Sequence, residues 1–102
     1  MLSRDLENLP GFDLVSKGTD DLARGTVSRE ALLVSIAAGR LREGGIPVPP
    51  REQLPAEPEL QLYRLLCRER PEDAYLLYSS LLERLISFEF ALDDFNRNSR
   101  TQ

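Results

Sequence analysis

One run of apolar residues in the last third of the chain restricts the fold more than any other feature. Its members recur at alternating intervals of four and three, the spacing of a helix face that packs along its whole length. They are Ala74, Tyr78, Leu81, Leu85, Phe88, Leu92 and Phe95. Leu77, Leu82, Ile86 and Ala91 widen the face. Because more than half of the circumference is then apolar, we predict a long central helix over about residues 72–95.

Shorter helical patterns precede this segment, each bounded by a start or stop signal. Ser3 is placed to cap a first short helix, which Pro10–Gly11 ends. A second pattern stops at Gly25, and a third begins after the N-cap Ser28 and closes at Gly44–Gly45. These signals predict three helical segments in the first half of the chain.

Five of the seven prolines lie between residues 46 and 58, where they deny the backbone its helical hydrogen bonds. We expect Ile46, Val48 and Leu54 to pin this connector against the helices. Pro58 and Pro71 then open the last two helices. The sequence predicts an all-α, compact bundle of four to five helices with a proline-rich crossover over about 46–58. Residues 1–95 form one domain, and 96–102 form a flexible polar tail.

The residue types exclude much enzyme chemistry. The chain has no histidine, so it lacks the commonest general base and the commonest transition-metal ligand. Its single cysteine, Cys67, cannot form an intrachain disulfide or a cysteine-based zinc site. The acidic doublets, such as Asp20–Asp21, diverge by about 100° on a helix, and we expect them to be caps or solvated faces. We therefore predict no catalytic, metal or cofactor residues and no enzyme activity.

The net charge and the hydropathy of the sequence limit the kinds of partner that we expect. The net charge of −4 disfavours general binding to nucleic acid, whose phosphates attract cationic proteins. No apolar run reaches the length of a membrane span, so we expect no membrane partner. The lone cysteine and the lack of a secretion signal predict a cytoplasmic location.

Two groups of residues on the last helix do not fit a simple core. Leu76 and Phe90 fall on its otherwise polar arc, and with Leu82 and Ile86 they form the candidate interface. Glu89 lies between apolar rows, as does Arg40 on the third helix. We hypothesise that Arg40 and Glu89 form a buried ion pair; the alternative is that each reaches the wet rim of the helix interface.

The leading functional expectation is a non-enzymatic protein–protein interaction module, a homodimer or a small subunit of a complex. A first alternative is a small-molecule or nucleotide-binding domain, with a pocket lined by Arg40, Glu89, Tyr63 and Tyr78. A weaker alternative is a nucleic-acid-associated regulator. That regulator would use Arg64, Arg68, Arg97 and Arg100.

Overall fold

The computed structural model describes residues 4–100 of the backbone, and side chains are described for residues 6–98. This part of the chain contains five α-helices and no strand, which confirms the all-α fold with its long C-terminal helix. The helices are α1 (Phe12–Ala23), α2 (Arg29–Ile36), α3 (Ala38–Glu43), α4 (Pro58–Glu69) and α5 (Ala74–Arg100). Short 3-10 helices span Arg4–Asn8 and Arg51–Gln53. The cap predicted at Ser3 lies outside the described residues.

Two helix boundaries differ from the expectation. The third predicted helix is interrupted at Ala37, whose φ of −103° and ψ of 18° divide it into α2 and α3. The last helix continues past residue 95 to Arg100. Its last turns gain local support, because the Asn96 side chain donates a hydrogen bond to the Gly44 carbonyl oxygen at 3.0 Å. The flexibility expected for residues 96–102 stays a prediction.

The core lies between α2 and the hairpin that α4 and α5 form. The α2 helix is enclosed on all sides, since every residue from Ala31 to Ser35 is buried. The α4 helix contributes Leu62 and Leu66, and α5 contributes the heptad face around the fully buried Phe88. Ile46 is buried and the connector residues Val48 and Leu54 pack on this core, so the crossover is pinned as expected.

The α1 and α2 helices approach so closely that only glycine fits at their crossing. A Cβ atom on Gly18 would lie 2.4 Å from the Glu30 carbonyl oxygen and 2.4 Å from a methyl carbon of Val34. Gly18 weakens α1 as an isolated helix, but the missing side chain lets the two backbones pack together. The close approach of the two backbones explains why position 18 is a glycine, whereas the sequence pattern indicates only that this residue weakens the helix.

The turn between α1 and α2 is held by a buried carboxylate. We expected the Asp20–Asp21 doublet to be solvated or a cap; instead, the Asp21 side chain is only 2% exposed. It accepts hydrogen bonds from Lys17 at 2.8 Å, Arg24 at 2.6 Å and Ser28 at 2.6 Å. The Ser28 hydroxyl in turn accepts a bond from the backbone N–H of Ala31, as the predicted N-cap of α2. One carboxylate thus ties the end of α1 to the start of α2.

Hydrogen bonds from Lys17, Ser28 and Arg24 outweigh the effect of burial and lower the pKa of Asp21 from 3.8 to about 2. The carboxylate therefore stabilises the fold above pH 3.8, and this contribution is lost as the pH falls toward 2. We expect Asp21→Asn to lower the free energy of unfolding by about 2 kcal/mol at pH 7. Urea unfolding from pH 7 to pH 2 measures this difference, which should shrink below pH 3.8. A difference that stays constant over that range would contradict the assignment.

Gly18→Ala tests the close helix crossing. The added methyl group would meet backbone and a branched side chain, so we expect a loss of about 1–3 kcal/mol in the free energy of unfolding. Gly39→Ala is the matched control, because a Cβ at Gly39 meets nothing within 4 Å. That variant should be neutral or gain up to about 1 kcal/mol from the higher helix propensity of alanine. Thermal unfolding measures the melting temperatures of both variants. Equal shifts relative to the wild type would show that the helix crossing is loosely packed.

Candidate functional site

A stripe of apolar side chains follows the side of α5 that faces away from the core. Tyr75, Ile86 and Phe90 are 65%, 46% and 66% exposed, and Leu82 is half-buried against the core. At 100° per residue these four positions fall within an arc of about 80°. We call Tyr75, Leu82, Ile86 and Phe90 the outer stripe. Its length along the helix axis is about 22 Å.

The α4 helix extends this apolar surface at one end. Leu60 and Tyr63 are exposed on α4, and the Tyr63 ring meets the edge of the Tyr78 ring at a centroid distance of 5.6 Å and an interplanar angle of 88°. Together with Tyr75 they border a shallow depression of about 480 Å³, which we call the tyrosine hollow. Glu59 lies at its rim. Tyr75 belongs to both the hollow and the outer stripe, so the two are continuous.

The four candidate interface residues predicted from the sequence lie on the outer stripe or next to it. Leu82, Ile86 and Phe90 lie together on the outer stripe. Leu76 is 71% exposed and lies about 40° beyond Phe90 around α5, so it borders the outer stripe on that side. The residues predicted for the interface did not include Leu60. The spacing of Leu60 and Tyr63, opposite the buried Leu62 and Leu66, was the signal that could have identified it.

Arg40 and Glu89 come together on another side of α5. The Arg40 Nε atom lies 3.8 Å from Oε1 of Glu89, and their side chains are 70% and 13% exposed, respectively. Burial raises the pKa of the Glu89 carboxyl above its ordinary value, and the positive charge of Arg40 opposes part of this shift. The carboxylate is therefore enclosed while the guanidinium stays at the wet rim.

These two residues border a polar cleft of about 240 Å³ between α3 and α5. Glu43, Asp93 and Arg97 also line it. Tyr63 and Tyr78, the other members of the pocket predicted from the sequence, lie at the tyrosine hollow instead. The structure thus distributes the four predicted lining residues between two separate places.

The arginines of the nucleic-acid alternative are also dispersed. Arg64 and Arg68 are exposed on α4. Arg97 lies near the end of α5, where it forms ion pairs with Asp93 and Asp94. The side chain of Arg100 lies outside the described ones. The carboxylates around Arg97 reduce the positive potential that a phosphate group would meet there.

Among residues 6–98, no three or more acidic or cysteine side chains are grouped so that they would hold a metal ion. Cys67 is half-buried and packs against the core. No helix in the described part of the chain is both long enough and apolar enough to cross a membrane.

Comparison of the chain with protein families, with curated proteins and with solved structures finds no match. The geometry of the described side chains is therefore the basis for assigning a function.

Glu89→Gln tests the enclosed carboxylate. Because the pKa of Glu89 is raised in the fold, its charged form costs stability at neutral pH, and this cost disappears as the pH falls below the ordinary value of 4.5. We expect the variant to have a higher free energy of unfolding than the wild type at pH 7, with the advantage declining toward pH 4.5. Chemical unfolding across this pH range measures the effect.

Glu43→Gln is the matched control, because Glu43 borders the same cleft but is exposed. We expect this substitution to change stability little. A Glu89→Gln variant that is less stable than the wild type at pH 7 would show that attraction to Arg40 exceeds the cost of burial. A variant with unchanged stability and unchanged pH dependence would contradict both the burial and the pairing of Glu89.

Proposed function

We propose that this protein is a non-enzymatic interaction module that associates with a second copy of itself through the outer stripe and the tyrosine hollow. The observation that carries the proposal is that exposed apolar residues of α4 and α5 adjoin at Tyr75, where the outer stripe meets the tyrosine hollow. Exposed apolar residues scattered singly over a surface are ordinary, whereas a contiguous patch is typical of a binding surface. Here five large side chains between 39% and 66% exposed lie on the outer stripe or at the tyrosine hollow: Leu60, Tyr63, Tyr75, Ile86 and Phe90.

The area of this face fits a dimer. Partly exposed aromatic and aliphatic side chains of this size leave roughly 500 Å² of apolar surface in contact with water. Two such faces give about 1,000 Å² of buried apolar area, and a polar rim would add to it. This total reaches the lower range of specific protein–protein interfaces. The exposed aromatic residues Tyr63, Tyr75 and Phe90 also match the aromatic enrichment of interface centres.

The chain does not need this face for its own core. Phe88, Leu85 and Leu92 on the opposite side of α5 are buried against the other helices. Within the described side chains, every buried nitrogen and oxygen atom has a hydrogen-bond partner. Apart from Leu82, which packs partly on the core, the outer stripe is therefore surplus to the folding of one copy, and such exposed apolar residues are best explained by association.

The proposed setting is the cytoplasm. The lone Cys67 packs against the core, and the chain has no second cysteine with which it would form an intrachain disulfide. Such cysteine usage fits a reducing compartment.

Phe90→Asp tests the proposed surface. We expect the wild type to be a dimer in light scattering behind size exclusion, and the variant to dissociate at protein concentrations at least about 100-fold higher. The effect is large because the substitution enters the interface twice, once from each copy. Thermal unfolding of the isolated variant should show a folded chain, since Phe90 is 66% exposed and lies outside the core.

Val27→Asp is the matched control. Val27 is also apolar and 58% exposed, but it lies in the turn between α1 and α2 rather than on the proposed face. We expect its dimer to be as tight as that of the wild type. A monomeric wild type, or equal weakening by both substitutions, would overturn the proposal.

A further inference from the structure

The proposed face has two complementary ends. At one end, Phe90 projects from α5 as an exposed aromatic ring, and no other large apolar side chain of the described chain exposes more than it does except Leu76. At the other end lies the tyrosine hollow, bordered by Leu60, Tyr63 and Tyr75. Tyr75, which borders the hollow, lies about 22 Å from Phe90 along α5, whereas Leu60 and Tyr63 belong to α4. A projection and a depression at a fixed separation on one face can match those of a second copy.

We propose that two copies pair with their α5 helices antiparallel, so that each Phe90 packs into the tyrosine hollow of the other copy. This inference rests on the proposed function and specifies its geometry. In a two-fold dimer, if residue i contacts residue j, then j also contacts i. An antiparallel pair fills both hollows at once with both Phe90 rings. The two-fold axis passes midway between Tyr75 and Phe90, where Leu82 and Ile86 of the two copies meet.

If the two α5 helices were parallel, Phe90 of one copy would not reach the tyrosine hollow of the other. A parallel pair would place Phe90 against Phe90 and one hollow against the other, so the projections would collide while the depressions stayed empty. Packing at interface centres approaches the density of protein interiors, and unfilled space there loses dispersion contacts. Shape therefore favours the antiparallel arrangement.

Charge favours the same arrangement. Arg64 follows Leu60 by one turn of α4 and Arg68 follows it by two; both are exposed, and no ion pair engages them within the described side chains. Asp93 and Asp94 follow Phe90 by one turn and share the single cation of Arg97. Antiparallel pairing brings the acidic end of one copy toward the α4 helix of the other, which carries these two arginines as well as Glu59 at the rim of the hollow. Parallel pairing would place like charges opposite each other.

The relative orientation of the two α5 helices is tested by pulsed electron–electron double resonance, which measures the distance between spin labels on the two copies. Arg97 is exposed beyond the Phe90 end of the stripe, and Cys67→Ser/Arg97→Cys carries one label per copy. The antiparallel dimer predicts a label separation of about 45 Å along the helix axes. A parallel dimer predicts less than about 20 Å, since packed helices lie 8–10 Å apart. A separation below about 20 Å would overturn the antiparallel geometry but leave the dimer. The absence of any dipolar signal at concentrations where light scattering also finds only monomer would overturn both proposals.

A mixing experiment tests the contact of Phe90 with the hollow directly. Phe90→Asp removes the projection, and Leu60→Arg obstructs the hollow; Leu60 is 42% exposed, so its replacement spares the core. In an antiparallel mixed dimer, one native contact survives intact and the second becomes an aspartate–arginine pair. We therefore expect a mixture of the two variants to dimerise at least about tenfold more tightly than either variant alone. Mixed association no tighter than that of the separate variants would overturn the proposed contact.

Discussion

The three hydrogen bonds to the Asp21 carboxylate hold the turn on which the remaining packing depends. Asp21 closes the end of α1, and through Ser28 it positions the first turn of α2. The α2 helix is then enclosed by α1 on one side and by the α4–α5 hairpin on the other. The missing side chain at Gly18 allows α1 to lie close enough for this enclosure. A polar cluster and an absent methyl group therefore set the position of the largely apolar core.

Two carboxylates of this chain are removed from water with opposite consequences. Asp21 accepts bonds from an ammonium, a guanidinium and a hydroxyl, so its charged form is favoured and its pKa is lowered. Glu89 has a single exposed guanidinium 3.8 Å away, beyond ordinary hydrogen-bond length, so burial dominates and its pKa is raised. The number and distance of the donors decide the sign of the shift, because the loss of hydration opposes ionisation in both cases.

The sequence predicted the structural features that depend on residues close together in the chain. Apolar spacing and caps such as Ser28 predicted the helices and the long last helix, because both depend on residues within one or two turns. The position of Glu89 among apolar rows likewise pointed to a carboxylate with restricted access to water. Relations between helices were not predictable in this way. The burial of Asp21, the tight crossing at Gly18 and the meeting of Tyr63 with Tyr78 depend on crossing angles and distances that no single periodicity contains.

The continuity of α5 has a consequence for how this chain can change over time. The helix carries the buried Phe88 on one side and the exposed Phe90 on the other, and only the helical repeat fixes their relative direction. Conservative substitutions at either position leave the relative direction of the two side chains unchanged. A single inserted or deleted residue between Tyr78 and Phe88 would rotate everything beyond it by about 100° and misdirect both faces together. Among homologous proteins, insertions and deletions in this segment should therefore be far rarer than substitutions.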